Sequence, residues 1–372
     1  MKIPLSNAYI EKDDIGEVLN VLKSKRLALG PYMEKFENII KSYVKSKFAI
    51  AVSSGTAALH LILKSLNFKE KDTLLVPSFT FISSANVALY EKGNVHFVDI
   101  EGDTLNVSPN VLEDEIVKLK KTNNGKLFFM GVDIFGHPLD WDKIIKICEK
   151  YDVTIIEDSC EALGSEYKGK KCGTFGIAGT FAFYPNKQIT TGEGGIIVTN
   201  DKKIARLAKA MRNQGRTSKK WLSHELLGYN YRLDEMSSAL GYSQMKKLDK
   251  IIEMRNKVAQ NYEKLLNFVE TPTTKEYTTK MAWFVYVVKL PKEVDLNKVI
   301  TFMKENGIET RNYFAPVHLQ PLYKDLGWKE GMLPITESVS KRTLAIPFYS
   351  ELTFEKQEKV AFYLKKAIEL FT

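Results

Sequence analysis

The sequence predicts an α/β protein with a mostly parallel central sheet, flanking helices and a smaller C-terminal α+β domain. From about residue 48, short and nearly continuous apolar runs alternate with helical patterns. This alternation is typical of buried parallel strands joined by crossover helices. Beyond the middle of the chain, one strand-like run (282–290) lies between longer helical stretches. We therefore expect a large domain over residues 1–245 and a small one over 246–372.

The individual elements follow from local periodicity. Helical periodicity covers residues 12–45 and is broken at Leu29-Gly30-Pro31. Apolar runs predict strands at 48–53, 73–77, 95–99, 127–135, 153–158 and 179–184. Between them, apolar spacing predicts helices at 57–66, 83–90 and 141–150. Beyond these, we expect one long amphipathic stretch over 234–265, a helix at 296–306 and a terminal helix at 355–370.

Composition limits the function classes. The chain has 372 residues, of which 44% are hydrophobic and 27% are charged, as in ordinary globular proteins. The longest apolar-leaning run, residues 76–90, is too short to span a bilayer, and the N-terminal residues lack a targeting pattern. We expect a cytoplasmic protein with no membrane partner. Cys148, Cys160 and Cys172 are odd in number and lack metal-ligand spacing, which indicates free thiols and no metal.

The formal net charge of +9 comes from lysines scattered among acidic residues on predicted helices. Mixed-sign helices usually present solvated faces. No basic arm or aromatic RNA-binding motif accompanies the charge, so we expect no nucleic-acid partner. A phosphate-bearing substrate is a second interpretation of the charge, and composition does not separate the two.

The most informative segment lies between two strand-like runs and carries Lys187. Pro185 opens the turn, and a group of glycines closes it at Gly192, Gly194 and Gly195. Such a turn brings one amine to the edge of a sheet, where other backbone can approach closely. A shielded lysine amine can form a Schiff base with pyridoxal phosphate. A surface lysine beside a hairpin is the alternative interpretation.

Two more strand ends carry candidate binding groups. Gly55 and Thr56 join a strand to a helix, where unpaired N–H groups can hold a phosphate; a simple helix cap is the alternative. Asp158 ends a buried strand, where a carboxylate can bond a pyridinium nitrogen, or can cap a helix. Phe81 follows a third strand and could stack on a flat ring or lie in the core. No dinucleotide or nucleoside-triphosphate motif is present.

Together these residues resemble the DegT/DnrJ/EryC1/StrS sugar aminotransferases, which are fold-type I pyridoxal-phosphate enzymes. The resemblance covers nearly the whole chain, and the order of its motifs makes it specific. The motifs are Leu29-Gly30-Pro31, Ser54-Gly55-Thr56-Ala57-Ala58-Leu59-His60, Pro77-Ser-Phe-Thr-Phe81, Glu157-Asp158, Phe183-Tyr-Pro-Asn-Lys187 with the following residues to Gly195, Arg212-Asn-Gln-Gly215, Gly228-Tyr-Asn230-Tyr-Arg232 and Pro316-Val-His318.

The resemblance implies roles for several residues around the cofactor. Lys187 is similar to the lysine that holds pyridoxal phosphate as a Schiff base, and Asp158 to the partner of the pyridine nitrogen. Phe81 matches the stacking ring. Gly55 and Thr56 match the phosphate cradle. The cofactor would alternate between its pyridoxal and pyridoxamine forms during turnover.

The resemblance also assigns more peripheral positions. Glu161 falls where the family often has Gln, Glu or His near the ring hydroxyl. Asn230 corresponds to a residue that reaches the phosphate from a second subunit, which implies a homodimer with shared active sites; a turn residue is the alternative. Relatives commonly have serine, a phosphate donor, where this chain has Ala182. Arg232 could bind a carboxylate or pyrophosphate, or form a surface ion pair, and His318 could contact the same substrate.

The activity implied by the resemblance is transfer of an amino group from L-glutamate to a nucleotide-linked keto-deoxy sugar, for amino sugars of polysaccharides or glycoconjugates. The segment from Ile189 to Gly194 reads Ile-Thr-Thr-Gly-Glu-Gly, which in relatives tends to accompany transfer to C4. Transfer to C3 is one alternative. A pyridoxal-phosphate lyase and a non-catalytic regulatory protein on the same fold are the others.

Overall fold

A computed structural model describes residues 2–217 and 223–372 of the chain. The α-helices of this part are α1 (Lys12–Ser24), α2 (Pro31–Val44), α3 (Gly55–Ser65), α4 (Ser83–Tyr90), α5 (Pro109–Thr122), α6 (Trp141–Lys150), α7 (Lys202–Arg212), α8 (Glu235–Met245), α9 (Leu248–Leu265), α10 (Leu296–Glu305), α11 (Pro321–Asp325), α12 (Pro334–Ser340) and α13 (Phe354–Phe371). Short 3₁₀ turns occur at Ile134–Gly136 and Val317–Leu319. Among these residues, no helix is both long enough and apolar enough to cross a membrane.

The strands form one large sheet and two small ones. The strands are β1 (Phe48–Val52), β2 (Thr73–Pro77), β3 (Asn94–Val98), β4 (Leu127–Val132), β5 (Thr154–Asp158), β6 (Glu166–Tyr167), β7 (Lys170–Lys171), β8 (Ala178–Ala182), β9 (Gly195–Thr199), β10 (Thr278–Lys280), β11 (Tyr286–Lys289), β12 (Arg311–Asn312) and β13 (Thr343–Ile346). The small sheets have the orders β10-β6-β7 and β11-β13-β12.

The large sheet has seven strands in the order β1-β9-β8-β5-β4-β2-β3. Neighbours from β8 to β3 pair in parallel, and β9 alone pairs antiparallel with both of its neighbours, β8 and β1. The predicted mostly parallel sheet is therefore confirmed. Since parallel strands point the same way, β2, β4, β5 and β8 end at one common edge of the sheet.

The strands are continuously apolar because helices cover both faces of the sheet. In β2, Leu74 and Val76 pack into one core together with residues of α3 and α4, whereas Leu75 packs into the opposite core with Trp141 of α6. Side chains alternate across a strand, so each face needs apolar residues. This covering explains why a run without polar alternation still forms a strand here.

A separate apolar cluster lies in the C-terminal part of the chain. It joins β11 and β13 to one face each of α9, α10 and α13. Tyr262, Val288, Leu344 and Leu364 are members of this cluster, and none of them is exposed to solvent. The division of the chain at residue 245 stays a prediction.

Three predicted elements are wrong in their extent. The strand expected at 127–135 ends at Val132, and a 3₁₀ turn follows at Ile134–Gly136. The amphipathic stretch 234–265 is two helices, because the backbone of Lys247 is not helical, with φ −121° and ψ 12°; its Nζ lies 2.6 Å from the buried Asp14 carboxylate on α1. The run 282–290 forms a strand only from Tyr286, because the carbonyl groups of Ala282, Trp283 and Phe284 accept hydrogen bonds from side chains. These side chains belong to the site described next.

Candidate functional site

The candidate site lies where strands of the large sheet end beside the N-terminus of α3. Asp158 is the last residue of β5, and Ala182 is the last residue of β8. An ideal Cβ placed on Gly55 would lie 2.8 Å from Ala182 Cβ and 3.0 Å from Cys160 Sγ. The helix terminus therefore approaches both strand ends as closely as a residue without a side chain permits. The cradle predicted at Gly55 and the carboxylate predicted at Asp158 are brought together.

The Asp158 carboxylate is buried and held in a fixed orientation. Its Oδ2 accepts a hydrogen bond of 2.7 Å from the Ser84 hydroxyl on α4, and its Oδ1 accepts one of 3.2 Å from Cys160 N–H. The side chain lies on the same face of the sheet as Ile156, which packs against α3 and α4. A carboxylate fixed in this way can accept a further hydrogen bond from a ligand at this edge of the sheet.

The N-terminus of α3 keeps donors available for an anion. Ser54 is the N-cap, and its Oγ accepts a hydrogen bond of 3.1 Å from Ala57 N–H. The cap interpretation therefore holds for Ser54, while the half-buried Thr56 stands in the first turn. Backbone N–H groups at a helix start carry partial positive charge and have no acceptor within the helix. This geometry suits a phosphate.

Lys187 lies on the loop between β8 and β9, at the same edge of the sheet. Its Nζ is 3.5 Å from Glu161 Oε1 and 3.9 Å from the centre of the Phe284 ring. The other Glu161 oxygen, Oε2, accepts a hydrogen bond of 2.8 Å from Phe135 N–H. Burial raises the pKa of the Glu161 carboxyl above its ordinary value, against the opposing effect of Lys187. The amine is thus sheltered and faces a carboxyl that can hold a proton.

Four residues at this site were not predicted from the sequence. Ser84 orients Asp158 from the first turn of α4. Gln188 donates from Nε2 to the carbonyls of Glu161 and Ala282, at 2.6 and 2.7 Å. Arg255 and Phe284 contact Lys187, and both come from beyond residue 245. Of these four, only Gln188 could have been suspected from the sequence, because it belongs to the motif that follows Lys187. The others become visible only when the chain is folded.

Phe81 is not part of the core, because 60% of its surface is exposed. It belongs to the segment that follows β2, so it stands at the same edge of the sheet as Asp158. Thr80 connects this segment to the site, since its hydroxyl lies 3.2 Å from Ser84 Oγ. An exposed aromatic ring at this edge is available to stack on a ligand.

Asn230 and Arg232 are not brought to Lys187 within the described chain. Asn230 is exposed and forms an isolated backbone bridge with Asn213. Arg232 Nη1 donates a hydrogen bond of 2.9 Å to the Asn213 side-chain oxygen, so its partner is an amide and not the predicted acid of a surface ion pair. Both side chains are held on one short segment that faces outward.

The substrate contact predicted for His318 is corrected by the structure, which places this side chain in the interior with no exposed surface. Ser78 Oγ lies 2.7 Å from its Nδ1, and Glu337 Oε1 lies 3.1 Å from its Nε2. Burial lowers the pKa of His318, although Glu337 opposes this effect. Because both ring nitrogens are engaged, His318 holds the segment after β2 to the C-terminal part of the chain.

A second acidic group lies on the opposite face of the sheet. Asp133, Glu157 and Cys172 are buried with ligand atoms within 4.8 Å of one another, although the spacing of Cys172 suggested no such group. The Ser159 hydroxyl lies 2.6 Å from Asp133 and 3.0 Å from Glu157. Burial and the neighbouring Glu157 raise the pKa of Asp133 well above its ordinary value. The pair has its hydrogen-bond partners within the protein, namely the Ser159 hydroxyl and the backbone N–H groups of Gly173 and Phe175.

The residues present fit pyridoxal phosphate. The cofactor requires a phosphate seat, a carboxylate for its ring nitrogen, a flat partner for its ring and a lysine amine. The absence of a Cβ at Gly55 lets the α3 donors approach the ends of β5 and β8 closely, and Asp158, Phe81 and Lys187 stand at the same sheet edge. The arrangement can therefore hold the cofactor and move a proton next to it.

A family model described as the DegT/DnrJ/EryC1/StrS aminotransferase family matches residues 8–365. GDP-perosamine synthase of Escherichia coli O157:H7 is 34% identical over 349 residues, 93% of this chain and 92% of that protein. The UDP-4-amino-4,6-dideoxy-N-acetyl-beta-L-altrosamine transaminase of Campylobacter jejuni is 34% identical over 95% of this chain and 94% of its own. A pleiotropic regulatory protein of Geobacillus stearothermophilus is 35% identical over 97% of both chains.

A solved structure has the same fold over the full length. Helicobacter pylori PseC, described as an aminotransferase involved in the biosynthesis of pseudoaminic acid, aligns with a TM-score of 0.91. The two sequences are 27% identical, and the alignment covers 100% of both chains. The predicted fold-type I architecture is therefore confirmed.

Proposed function

We propose a specific reaction for this chain, which belongs to the DegT/DnrJ/EryC1/StrS aminotransferase family of pyridoxal-phosphate-dependent sugar-nucleotide aminotransferases. In this reaction, an amino group moves from L-glutamate to C4 of a nucleotide-linked 4-keto-6-deoxy sugar. One observation carries the proposal at the site: the Lys187 amine, the Asp158 carboxylate and the α3 terminus at Gly55 converge at one edge of the sheet. The resulting 4-amino sugar would serve polysaccharide or glycoconjugate synthesis.

Lys187 is proposed to hold the cofactor covalently and to act as general acid and base in each half of the reaction. When bound, pyridoxal phosphate supplies an electron sink that stabilises the carbanion formed at the substrate carbon. Once the donor amine has taken its place on the cofactor, the freed Lys187 amine would take the proton from the donor carbon and return it to the neighbouring cofactor carbon. Only 12% of the Lys187 side chain is exposed, which limits proton loss to bulk water.

The two carboxyl groups of the site are proposed to have different tasks. Asp158, fixed by Ser84 and by Cys160 N–H, would keep the ring nitrogen protonated. Glu161, whose pKa is raised by burial, would hold a proton near the ring hydroxyl and near Lys187.

The phosphate is proposed to lie against the α3 terminus, which Gly55 allows to pack closely on the end of β8, with Thr56 supplying a hydroxyl. Ala182 offers no hydroxyl at this place. The seat is therefore proposed to depend more on the backbone N–H groups, and on Asn230 of the partner subunit, than it does in relatives that carry a serine here.

A homodimer with shared sites is proposed from two surface features. Asn230 is exposed and has no side-chain contact with its own Lys187 among the described residues. On α1, Ile15, Leu19 and Leu22 are 54, 46 and 48% exposed and share one helix face by their spacing. Exposed apolar stripes of this kind mark surfaces that another chain covers. Arg232 beside Asn230 would then bind the pyrophosphate or donor carboxylate of the partner's substrate.

The proposal is tested with the pyridoxamine form of the purified protein. L-Glutamate should convert the bound cofactor to this form, and a panel of 3-keto and 4-keto sugar nucleotides should convert it back, as followed by absorbance. We expect 4-keto compounds to react rapidly. Rapid reaction with 3-keto compounds alone would contradict transfer to C4. Lys187→Ala should abolish both the absorbance band of covalently bound cofactor and turnover.

The same measurement separates the remaining alternatives. A protein that holds the cofactor but responds to no amino donor would be a lyase. A protein that binds no cofactor would have a regulatory role. The Geobacillus relative is described as a pleiotropic regulatory protein. The intact Lys187 and Asp158, with their partners in place, favour the enzyme.

A further inference from the structure

Arg255 on α9 is a buried cation without an acidic partner in the described part of the chain. Its side chain is 2% exposed. Nη1 donates to the carbonyls of Trp283 and Phe284 at 3.3 and 3.1 Å, and Nη2 donates to the carbonyl of Lys187 at 3.1 Å. Nε has no acceptor among the described residues. Burial alone lowers the pKa of the guanidinium to about 10.

Such an arrangement is costly for stability. Burying a cation without a carboxylate loses hydration that carbonyl groups only partly replace, and an apolar side chain of similar volume is often at least as stable. The contacts of Arg255 indicate a role for its guanidinium group. Its planar fork spans two segments that are distant in the sequence, the Lys187 loop and residues 283–284. A lysine ammonium, which is a single point charge, cannot span them in the same way.

The segment 282–284 also provides the surface on which the Lys187 amine lies. The Phe284 ring is 3.9 Å from Nζ. Gln188 fixes the other end of this segment, since its amide joins the carbonyls of Ala282 and Glu161. The backbone of Lys187 is therefore held by Arg255, and its amine lies against the ring of a residue whose backbone carbonyl Arg255 also bonds.

We propose that Arg255 is a positioning residue for Lys187: it joins the Lys187 carbonyl to that of Phe284 and so directs the amine toward Glu161 and the cofactor. This inference rests on the proposed role of Lys187. It makes residues of α9 and of the segment before β11 part of the active site. Arg255 touches neither substrate nor cofactor, and it acts only through Lys187 and Phe284.

The test measures covalent attachment separately from non-covalent binding. Apo-protein is mixed with pyridoxal phosphate, and the rise of the absorbance band of covalently attached cofactor is followed in time. The Kd of pyridoxamine phosphate, which cannot attach to the lysine, is measured by fluorescence. For Arg255→Met and Arg255→Lys we expect attachment to slow by about tenfold or more, because small displacements of a reacting group cost this much. The Kd of pyridoxamine phosphate should not change.

The matched control is Tyr262→Phe on the same helix. It removes a buried hydrogen bond of 2.8 Å to the Pro347 carbonyl without touching Lys187. We expect this variant to melt at a lower temperature and to attach the cofactor at the wild-type rate. If Arg255→Met does not fold, Arg255→Lys alone decides the question, because it keeps the charge and loses only the fork.

The outcomes distinguish this inference from the proposed function. If Lys187→Ala keeps the absorbance band, the proposed function is wrong. If Lys187→Ala loses the band but both Arg255 variants attach the cofactor at the wild-type rate, the positioning role is wrong. Weakened binding of pyridoxamine phosphate in the same proportion as the slower attachment would also overturn it, since the role of Arg255 would then be structural.

Discussion

At Gly55, one added carbon should damage cofactor binding. We expect Gly55→Ala to weaken the binding of pyridoxamine phosphate by about tenfold or more, equivalent to about 1.4 kcal/mol. The new Cβ would lie 2.8 Å from Ala182 Cβ, which forces α3 away from the end of β8. Overpacking of this kind costs about 1–3 kcal/mol of stability. Titration of apo-protein followed by fluorescence, together with thermal melting, measures both effects.

Gly16 on α1 is the control for this substitution. An added Cβ there would meet nothing within 4 Å. Gly16→Ala should therefore stabilise the helix by about 0.5–1 kcal/mol, because glycine is a poor helix former. It should leave cofactor binding unchanged. Equal effects of the two substitutions on binding would contradict the assignment of the cradle to Gly55.

Ala182 offers a gain-of-function test of the phosphate seat. We expect Ala182→Ser to tighten the binding of pyridoxamine phosphate by a few fold, since a neutral hydrogen bond contributes about 0.5–1.5 kcal/mol. Ala182 adjoins Gly55, so the new hydroxyl would face the α3 donors. Unchanged or weaker binding, with the fold intact by melting, would indicate that the phosphate lies elsewhere.

The candidate site was predictable at residues whose chemistry depends on a local motif. Lys187, Asp158 and Gly55 each mark the end of a strand, and parallel strands bring such ends together. The role of Arg255 could not be predicted, because an arginine on an amphipathic helix normally faces solvent. His318 was misjudged for a related reason. A motif such as Pro-Val-His does not reveal which other segments will cover the ring, so its complete burial could not be read from the sequence.

At the level of secondary structure, the buried pair of Asp133 after β4 and Glu157 on β5 makes stability depend on pH. In the folded state the pKa of Asp133 is raised well above its ordinary value, mainly by burial. A group with a raised folded pKa binds a proton on folding, so its contribution to stability is present below the unfolded pKa of about 3.9 and is lost as the pH rises through the folded pKa.

We therefore expect Asp133→Asn to gain stability relative to the wild type as the pH rises from about 4 toward 8, since asparagine does not titrate in this range. The side-chain oxygen can still accept the hydrogen bond of 3.2 Å from Leu139 N–H. Thermal melting across the pH range measures the difference. A constant difference between the two proteins would show that the pKa of Asp133 is the same in the folded and unfolded chains.

Several elements were predicted well from their own apolar pattern. The helices at 83–90 and 141–150 and the strand at 73–77 have the predicted bounds. Prediction failed where a tertiary contact overrides periodicity. Lys247 interrupts the expected long helix as its amine reaches Asp14, and no pattern within residues 234–265 contains that partner.

For the whole molecule, the proposed dimer predicts complementation between two inactive variants. Lys187→Ala removes the amine, and Asn230→Asp places a negative charge where the partner's phosphate is proposed to lie. Mixed and allowed to exchange subunits, the two variants should recover part of the activity, because a hybrid dimer contains one site with both residues intact. Activity is measured before and after mixing.

The control for this experiment is each variant incubated alone, which should stay inactive. Exchange of subunits is verified by mass spectrometry of differently labelled chains. If both variants are dimeric and exchange, yet no activity returns, each site is built from one chain only and the shared-site proposal is wrong.

The antiparallel strand β9 has a consequence for engineering the protein. A parallel neighbour would need a long crossover to reach β8, usually through a helix, whereas an antiparallel one needs only a return loop. Within that loop, Thr190 Oγ1 donates to the Phe183 carbonyl, and Thr191 Oγ1 donates to that of Glu193. Ile189, Thr190 and Thr191 are buried, so an exchange of this loop that keeps these three residues can alter acceptor choice without re-registering the sheet.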